Sequence, residues 1–222
     1  MRALLIATTN AGKLAEIRAL LAGVPYDLLA LSDLRAEGVE AAERPSIDPP
    51  PETGATFAEN ARSKALYYAA RTGLLTVAED SGLEIDALGG APGVESARLG
   101  GATARYPEKF QLIYQDLARM GLSTSPARFV CAVALAEVTR IVFEARGTVE
   151  GQIAPAPRGS GGFGYDPIFF YPPFGCTLAE AGGRKIEVSH RGAAFHKLRA
   201  FLERDRREGH DGHETTGRRP IH

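Results

Sequence analysis

Leu4-Leu5-Ile6-Ala7-Thr8-Thr9-Asn10-Ala11-Gly12-Lys13-Leu14 is the stretch on which the fold turns. Residues 2–8 are a short apolar run and read as a buried strand. The run stops at Thr8-Thr9-Asn10, after which Leu14, Ile17, Leu20 and Leu21 recur at helical spacing. Gly23 and Pro25 end that helix. Strand, polar loop and helix open an α/β unit. That order aims the loop amides and the positive helix end at one place, which suits phosphate. Thr8 and Asn10 supply donors, Gly12 lets the backbone approach closely and Lys13 supplies charge. A Walker loop is excluded, because Ala7 and Leu14 stand where that motif needs glycine and a hydroxyl residue. Taken alone, Lys13 reads as a solvated surface lysine; its place at this turn makes the phosphate reading equally good.

Working outward, residues 37–53 are irregular and proline-rich (Pro45, Pro49, Pro50, Pro51) and read as a surface excursion. Thr56 and Glu59 have capping-box spacing, alanines run on to Ala70, and Gly73 closes the helix. Lys64 shares a face of that helix with Phe57 and Asn60. It either snorkels out or reaches inward to phosphates, and snorkelling is the simpler expectation. Residues 74–78 read as a short strand that delivers Glu79-Asp80-Ser81-Gly82 at its end. Acids at that position are either solvated caps or ligands at the carboxyl edge of an open sheet, where such folds bind substrates. Loop is expected at 89–101 and 155–166, and helix at 107–120. Strands are expected at 128–138 and 140–153, paired across a turn at 137–140, with a short strand at 168–171. A last helix is expected at 189–207 with Ala193, Leu198 and Phe201 or Leu202 inward. The class is α/β, with one domain over 1–204 and a frayed polar tail over 205–222.

Gly161-Gly162-Phe163-Gly164-Tyr165-Asp166-Pro167, then Lys185, then Ser189-His190-Arg191, form a second kit. It offers an aromatic face, a carboxylate and three potential cations, enough to stack on a flat polar ring and read its edge. Phe163 between glycines has few local packing partners, although a core position is the competing reading. His190-Arg191 at a helix start put positive charge where the helix dipole disfavours it, so something else must favour it there. A polar ligand would do so.

The chain has 222 residues and a formal net charge of −1. General affinity for nucleic-acid duplexes is therefore not expected, and no basic-aromatic stripe suggests RNA binding. Cys131 and Cys176 are too few for a disulfide framework and lack metal-ligand spacing. No apolar run is long enough to span a membrane. A soluble cytoplasmic protein is the expectation.

In order and spacing, these motifs resemble the inosine/xanthosine triphosphate pyrophosphatase family. The carrying segments are the loop 7–13, Glu52-Thr53-Gly54 leading into Thr56-Phe57-Ala58-Glu59-Asn60-Ala61, and Glu79-Asp80-Ser81-Gly82-Leu83. Gly89-Gly90-Ala91-Pro92-Gly93, Ser96-Ala97-Arg98, the Phe163 turn and Ser189-His190-Arg191 complete them. The resemblance covers about residues 4–202. It implies hydrolysis of ITP, dITP and XTP to monophosphate and pyrophosphate with Mg²⁺. It also implies a homodimer and an elongated two-lobed fold, with a long twisted mixed sheet flanked by helices and a cleft between the lobes. By the same resemblance, Thr8, Thr9, Asn10, Ala11, Gly12, Lys13 and Lys64 hold the phosphates. Glu52 and Asp80 are the metal-binding acids, Asp80 is also the proton acceptor, and Ser81 lines the site. Phe163, followed by Gly164 and Tyr165, stacks on the base, while Asp166, Lys185, His190 and Arg191 read its edge. Cationic donors there, a protonated His190 among them, would suit the 6-oxygen of hypoxanthine or xanthine and be left unpaired against the amino group of adenine. A pyrophosphatase for modified pyrimidines and a non-catalytic nucleotide sensor are the rival readings. The chain departs from the pattern in its longer proline-rich insertion, in Ile186 after Lys185, and in Glu79 where aspartate is common.

Overall fold

Leu4, Leu5 and Ile6 are buried on both faces of β1 (Arg2–Ile6), as a continuous apolar run requires. The computed structural model describes residues 1–35, 49–101 and 103–211. Most of the proline-rich excursion and the end of the tail lie outside the described residues. Among those described, one sheet has the order β2-β1-β3-β4-β5-β6-β7. Its other strands are β2 (Tyr26–Ala30), β3 (Leu75–Ile85), β4 (Pro126–Glu137), β5 (Arg140–Ile153), β6 (Phe169–Tyr171) and β7 (Cys176–Thr177). β1 pairs in parallel with β2 and β3, and every later pairing is antiparallel. The helices are α1 (Ala11–Leu20), α2 (Phe57–Thr72), α3 (Tyr106–Arg119) and α4 (His190–Asp211). The chain is α/β, as its sequence implies, with the mixed sheet that the family resemblance implies.

The long strands divide the core by side-chain parity. On one face, Ala78, Val130, Ala132, Ala134 and Ala136 pack against Phe57, Ala61, Ala65 and Ala69 of α2. The opposite face carries two separate clusters. At one end Val77, Cys131, Val133 and Leu135 pack under Ala194, Phe195, Leu198 and Leu202 of α4. At the other, Leu83, Ile85 and Phe129 pack under Phe110, Ile113 and Leu117 of α3. Between these two clusters the sheet face is left to polar side chains, and this gap is the floor of the candidate site. Gly147 of β5 lies beneath the first turn of α4, where any Cβ would collide with the His190 carbonyl. Its bare backbone lets that turn rest directly on the sheet.

Four expectations change. β3 does not stop at Ala78 but runs through Glu79-Asp80-Ser81-Gly82 to Ile85, paired with β4 throughout. Cross-strand pairing and ion pairs on both faces override the turn-forming character of those residues. β1 pairs with β3 only as far as Val77, so the acids lie where that edge of β3 is released. β2 and β7 were not expected, because Leu28-Leu29-Ala30 and Cys176-Thr177 are too short to show a period. In α4, Ala194 and Phe195 face inward and Ala193 is exposed. The buried stripe starts from Arg191 in the first turn, which shifts it by one residue. α4 also continues beyond Arg207 to Asp211. Cys131 is buried in the core.

Candidate active site

The phosphate-type loop follows β1 and enters α1. Asn10 is the N-cap, with extended backbone and Oδ1 accepting from Lys13 N at 3.0 Å. Thr8 Oγ1 accepts from Asn10 N at 3.2 Å. The Thr8 and Asn10 side-chain oxygens thus help to shape the turn, while the Asn10 amide NH₂ and the Thr8 hydroxyl hydrogen remain to donate. Thr8, Thr9, Asn10 and Lys13 line a cleft of about 510 Å³ that also takes in Glu52, Lys64, Phe163 and Arg191. Ala11 and Gly12 supply its first helical turn.

Period two sends Glu79 and Asp80 to opposite faces of β3. Glu79, 4% exposed, meets Lys13 Nζ at 2.7 Å and Arg191 Nη2 at 3.5 Å. Burial works to raise its pKa, but Lys13 and Arg191 outweigh it and hold the carboxyl far below the usual range. Asp80 faces α2. Its Oδ2 accepts from Asn60 Nδ2 at 2.9 Å, and Lys64 Nζ stands 3.4 Å from Oδ1. Burial pushes the Asp80 carboxyl upward, against the pull of Lys64 and Asn60.

Lys64 does not snorkel. Its ammonium turns inward and meets Glu52 Oε1 at 2.6 Å as well as Asp80. Burial acts to lower its pKa, while Asp80 and Glu52 overcome it, so Lys64 stays charged. Arg98 holds Glu52 from the other side, with Nη1 on Oε2 at 3.1 Å and Nη2 on the carbonyl at 3.4 Å. Burial opposes ionisation of Glu52, and Lys64 and Arg98 hold its pKa below the usual range. No group of three or more His, Cys, Asp or Glu side chains with metal-binding geometry occurs among the described residues. What converges is a pair of oxygen donors, Glu52 and Asp80, on one cationic centre.

At the other end of the cleft, Gly162 adopts φ 71 and brings the Phe163 amide onto Asp166 Oδ2 at 2.7 Å. A Cβ on Gly162 would overlap that same oxygen. Lys185 Nζ reaches Asp166 Oδ2 at 2.6 Å. Asp166 is 2% exposed, and its documented contacts hold the turn and Lys185 rather than present a carboxylate to the cleft. Phe163 is 39% exposed, so the core reading fails. Lys185 Nζ lies 4.8 Å and the Arg191 guanidinium carbon 5.7 Å from its ring centre. Gly164 follows with φ 71, and Tyr165 is buried with its hydroxyl on the Ser96 carbonyl at 2.7 Å.

Arg191 is 1% exposed and pairs with Glu16 of α1, while its Nη2 donates to Ser81 Oγ at 3.2 Å. Glu16 and Glu79, rather than a ligand, answer the unfavourable charge at the start of α4. Arg191 Nε has no hydrogen-bond partner among the described residues. The His190 ring stacks on Phe129 at 5.0 Å. Loss of water around the ring, reinforced by the Arg191 charge, pushes its pKa down to about 3. His190 is therefore neutral, which corrects the protonated donor expected from the sequence.

All the expected residues converge on this cleft or on its immediate support. Sequence reasoning gave no role to Asn60, Arg98 or Glu16, and none to Glu79 beyond its place in an acid cluster. For Asn60 the available signal was its i,i+4 relation to Lys64.

The sequence profile of the Ham1 family matches residues 4–201. A dITP/XTP pyrophosphatase of Gloeobacter violaceus is 48% identical over 200 residues, covering 89% of this chain and 93% of that protein. A dITP/XTP pyrophosphatase of Thermus thermophilus is 45% identical, covering 89% of each. The structure of a HAM1 protein from Coxiella burnetii superposes with a TM-score of 0.82 at 38% identity, over 92% of this chain and all of that one.

Proposed function

The chain belongs to the Ham1 family, and we propose that it hydrolyses abnormal purine nucleoside triphosphates (ITP, dITP and XTP) to the monophosphate and pyrophosphate. One observation carries the reading. A single cleft has the Thr8–Lys13 loop, Lys64 and Glu52 at one end, with Asp80 behind Lys64, and an exposed aromatic ring beside two cations at the other. That is the shape of a triphosphate joined to a flat base.

In this reading Thr8, Asn10, Lys13 and Lys64 donate to phosphate oxygens. Lys13 keeps one contact on Glu79 and has further ammonium hydrogens for substrate. Glu52 and Asp80 would hold Mg²⁺, whose preference for few carboxylates together with phosphate and water oxygens fits this two-acid set. When bound, the ion offsets the charge of the phosphates. Asp80 accepts the proton of the attacking water through Oδ1, the oxygen that Asn60 does not hold. Phe163 stacks on the base. Lys185, Arg191 and the neutral imidazole N–H of His190 meet its edge. The enzyme is a cytoplasmic homodimer on the strength of the family resemblance, and sedimentation of the purified chain checks the assembly.

The test is pyrophosphate release from dITP, XTP, dATP, dGTP, dCTP and dTTP, with and without Mg²⁺. The expected result is Mg²⁺-dependent release confined largely to dITP and XTP. Release from another base would keep the phosphate end and overturn the base reading. Failure to turn over any of the six would overturn the hydrolase assignment.

A further inference from the structure

We propose that Asn60 is a positioning residue that fixes both acids of the site at once. The proposal rests on the roles given above to Glu52 and Asp80. Asn60 is 1% exposed, on the first turn of α2. Its Nδ2 donates to Asp80 Oδ2 at 2.9 Å, and its Oδ1 accepts from Gly54 N at 2.8 Å, two residues after Glu52. Only one orientation of the amide satisfies both partners. Reversing it would set oxygen against carboxylate and NH₂ against N–H. Aspartate has no donor for Asp80, and alanine has neither group.

The consequence is a division of labour within one carboxylate. Asn60 holds Oδ2, and Lys64, one helical turn further along the same face, approaches Oδ1. Oδ1 is thereby left as the oxygen that meets the cationic centre. The Gly54 contact sets the path of the chain that carries Glu52, and Lys64 and Arg98 then hold the Glu52 head group. The α2 N-terminus is itself rigid, because Thr56 and Glu59 form a full capping box. Asn60 therefore ties the spacing of two acids on different segments to one helix end.

The experiment compares wild type with Asn60→Ala. Three measurements are made: steady-state kinetics (kcat and KM) on dITP, affinity for Mn²⁺ in the presence of a dITP analogue with a methylene bridge between the α and β phosphorus atoms, and affinity for that analogue without metal. The expected result is that kcat and Mn²⁺ affinity each fall by about 10–100-fold, while metal-free analogue affinity changes by less than about threefold. Unchanged kcat and Mn²⁺ affinity would overturn the proposal. So would a proportional loss of all three with a lower melting temperature, which is the mark of a packing residue. Should the alanine variant fail to fold, Asn60→Asp keeps an acceptor for Gly54 and sets a second carboxyl oxygen against Asp80 in place of the donor. Its kcat must then fall with KM held, and an equal change in both would overturn the proposal. If wild type itself turns over no dITP, the proposed function fails, and Mn²⁺ affinity alone still decides the role of Asn60.

Discussion

Glu79 and Asp80 are neighbours in one strand and live in opposite environments. Glu79 faces α1 and α4, is enclosed by Lys13 and Arg191, and has its pKa driven down. Asp80 faces α2, is held through one oxygen by Asn60, and has its pKa raised by burial. The difference comes from the pleat, which turns successive side chains to opposite faces. An acid surrounded by cations is a poor proton acceptor and a good anchor for those cations. An acid with a raised pKa and one oxygen less encumbered is the better candidate for chemistry. On the proposed function, one strand thus supplies an anchor on one face and the reactive group on the other.

The comparison breaks most visibly in turnover. Asp80→Asn is expected to lower kcat for dITP by about 10²–10⁴-fold, the usual weight of a general base, with substrate affinity largely kept. A comparable loss of affinity in a binding titration would remove the chemical role. Next in size, Glu79→Gln leaves Arg191 and Lys13 short of a buried counter-charge and should cost about 3–5 kcal/mol in denaturant unfolding. Phe163→Ala should weaken dITP binding by about 1–3 kcal/mol, read as a higher KM with kcat less affected. The pH dependence sharpens the contrast in sign. The folded pKa of Glu79 lies below the value of about 4 for an unfolded carboxyl, so its contribution to stability is present above that pH and is lost as pH falls. The folded pKa of Asp80 lies above its unfolded value, so its ionisation costs stability at neutral pH and the cost fades in acid. Melts without metal should therefore show Asp80→Asn above wild type at pH 7 and Glu79→Gln below it, with both gaps closing toward acid. The smallest effect lies away from both faces. Val138, at the β4–β5 turn, has φ 53, and Val138→Asn should add about 0.5–1 kcal/mol of stability without changing turnover.

The comparison also marks where the sequence was readable. The strand–loop–helix opening, the Thr56–Glu59 cap and the paired strands around the 137–140 turn are local signals, and the structure has them all. The course of β3 was not local. Glu79-Asp80-Ser81-Gly82 has the composition of a turn, and only pairing with β4 and cations contributed by α1, α2 and α4 keep it extended. Lys64 failed for the same reason. Helical spacing shows which face it shares, but its inward direction depends on Glu52 and Asp80 arriving from other segments. His190 was placed correctly and charged wrongly, since its protonation follows from packing on Phe129 beside Arg191.

Steady-state kinetics of Asp80→Asn and Glu79→Gln, side by side on dITP with Mg²⁺, test the central claim most directly. The account predicts that Asp80→Asn loses kcat with little change in KM, while Glu79→Gln keeps most of its kcat and raises KM as Lys13 and Arg191 lose their anchor. The reverse pattern, with Glu79→Gln inactive at unchanged KM and Asp80→Asn still turning over, would contradict it.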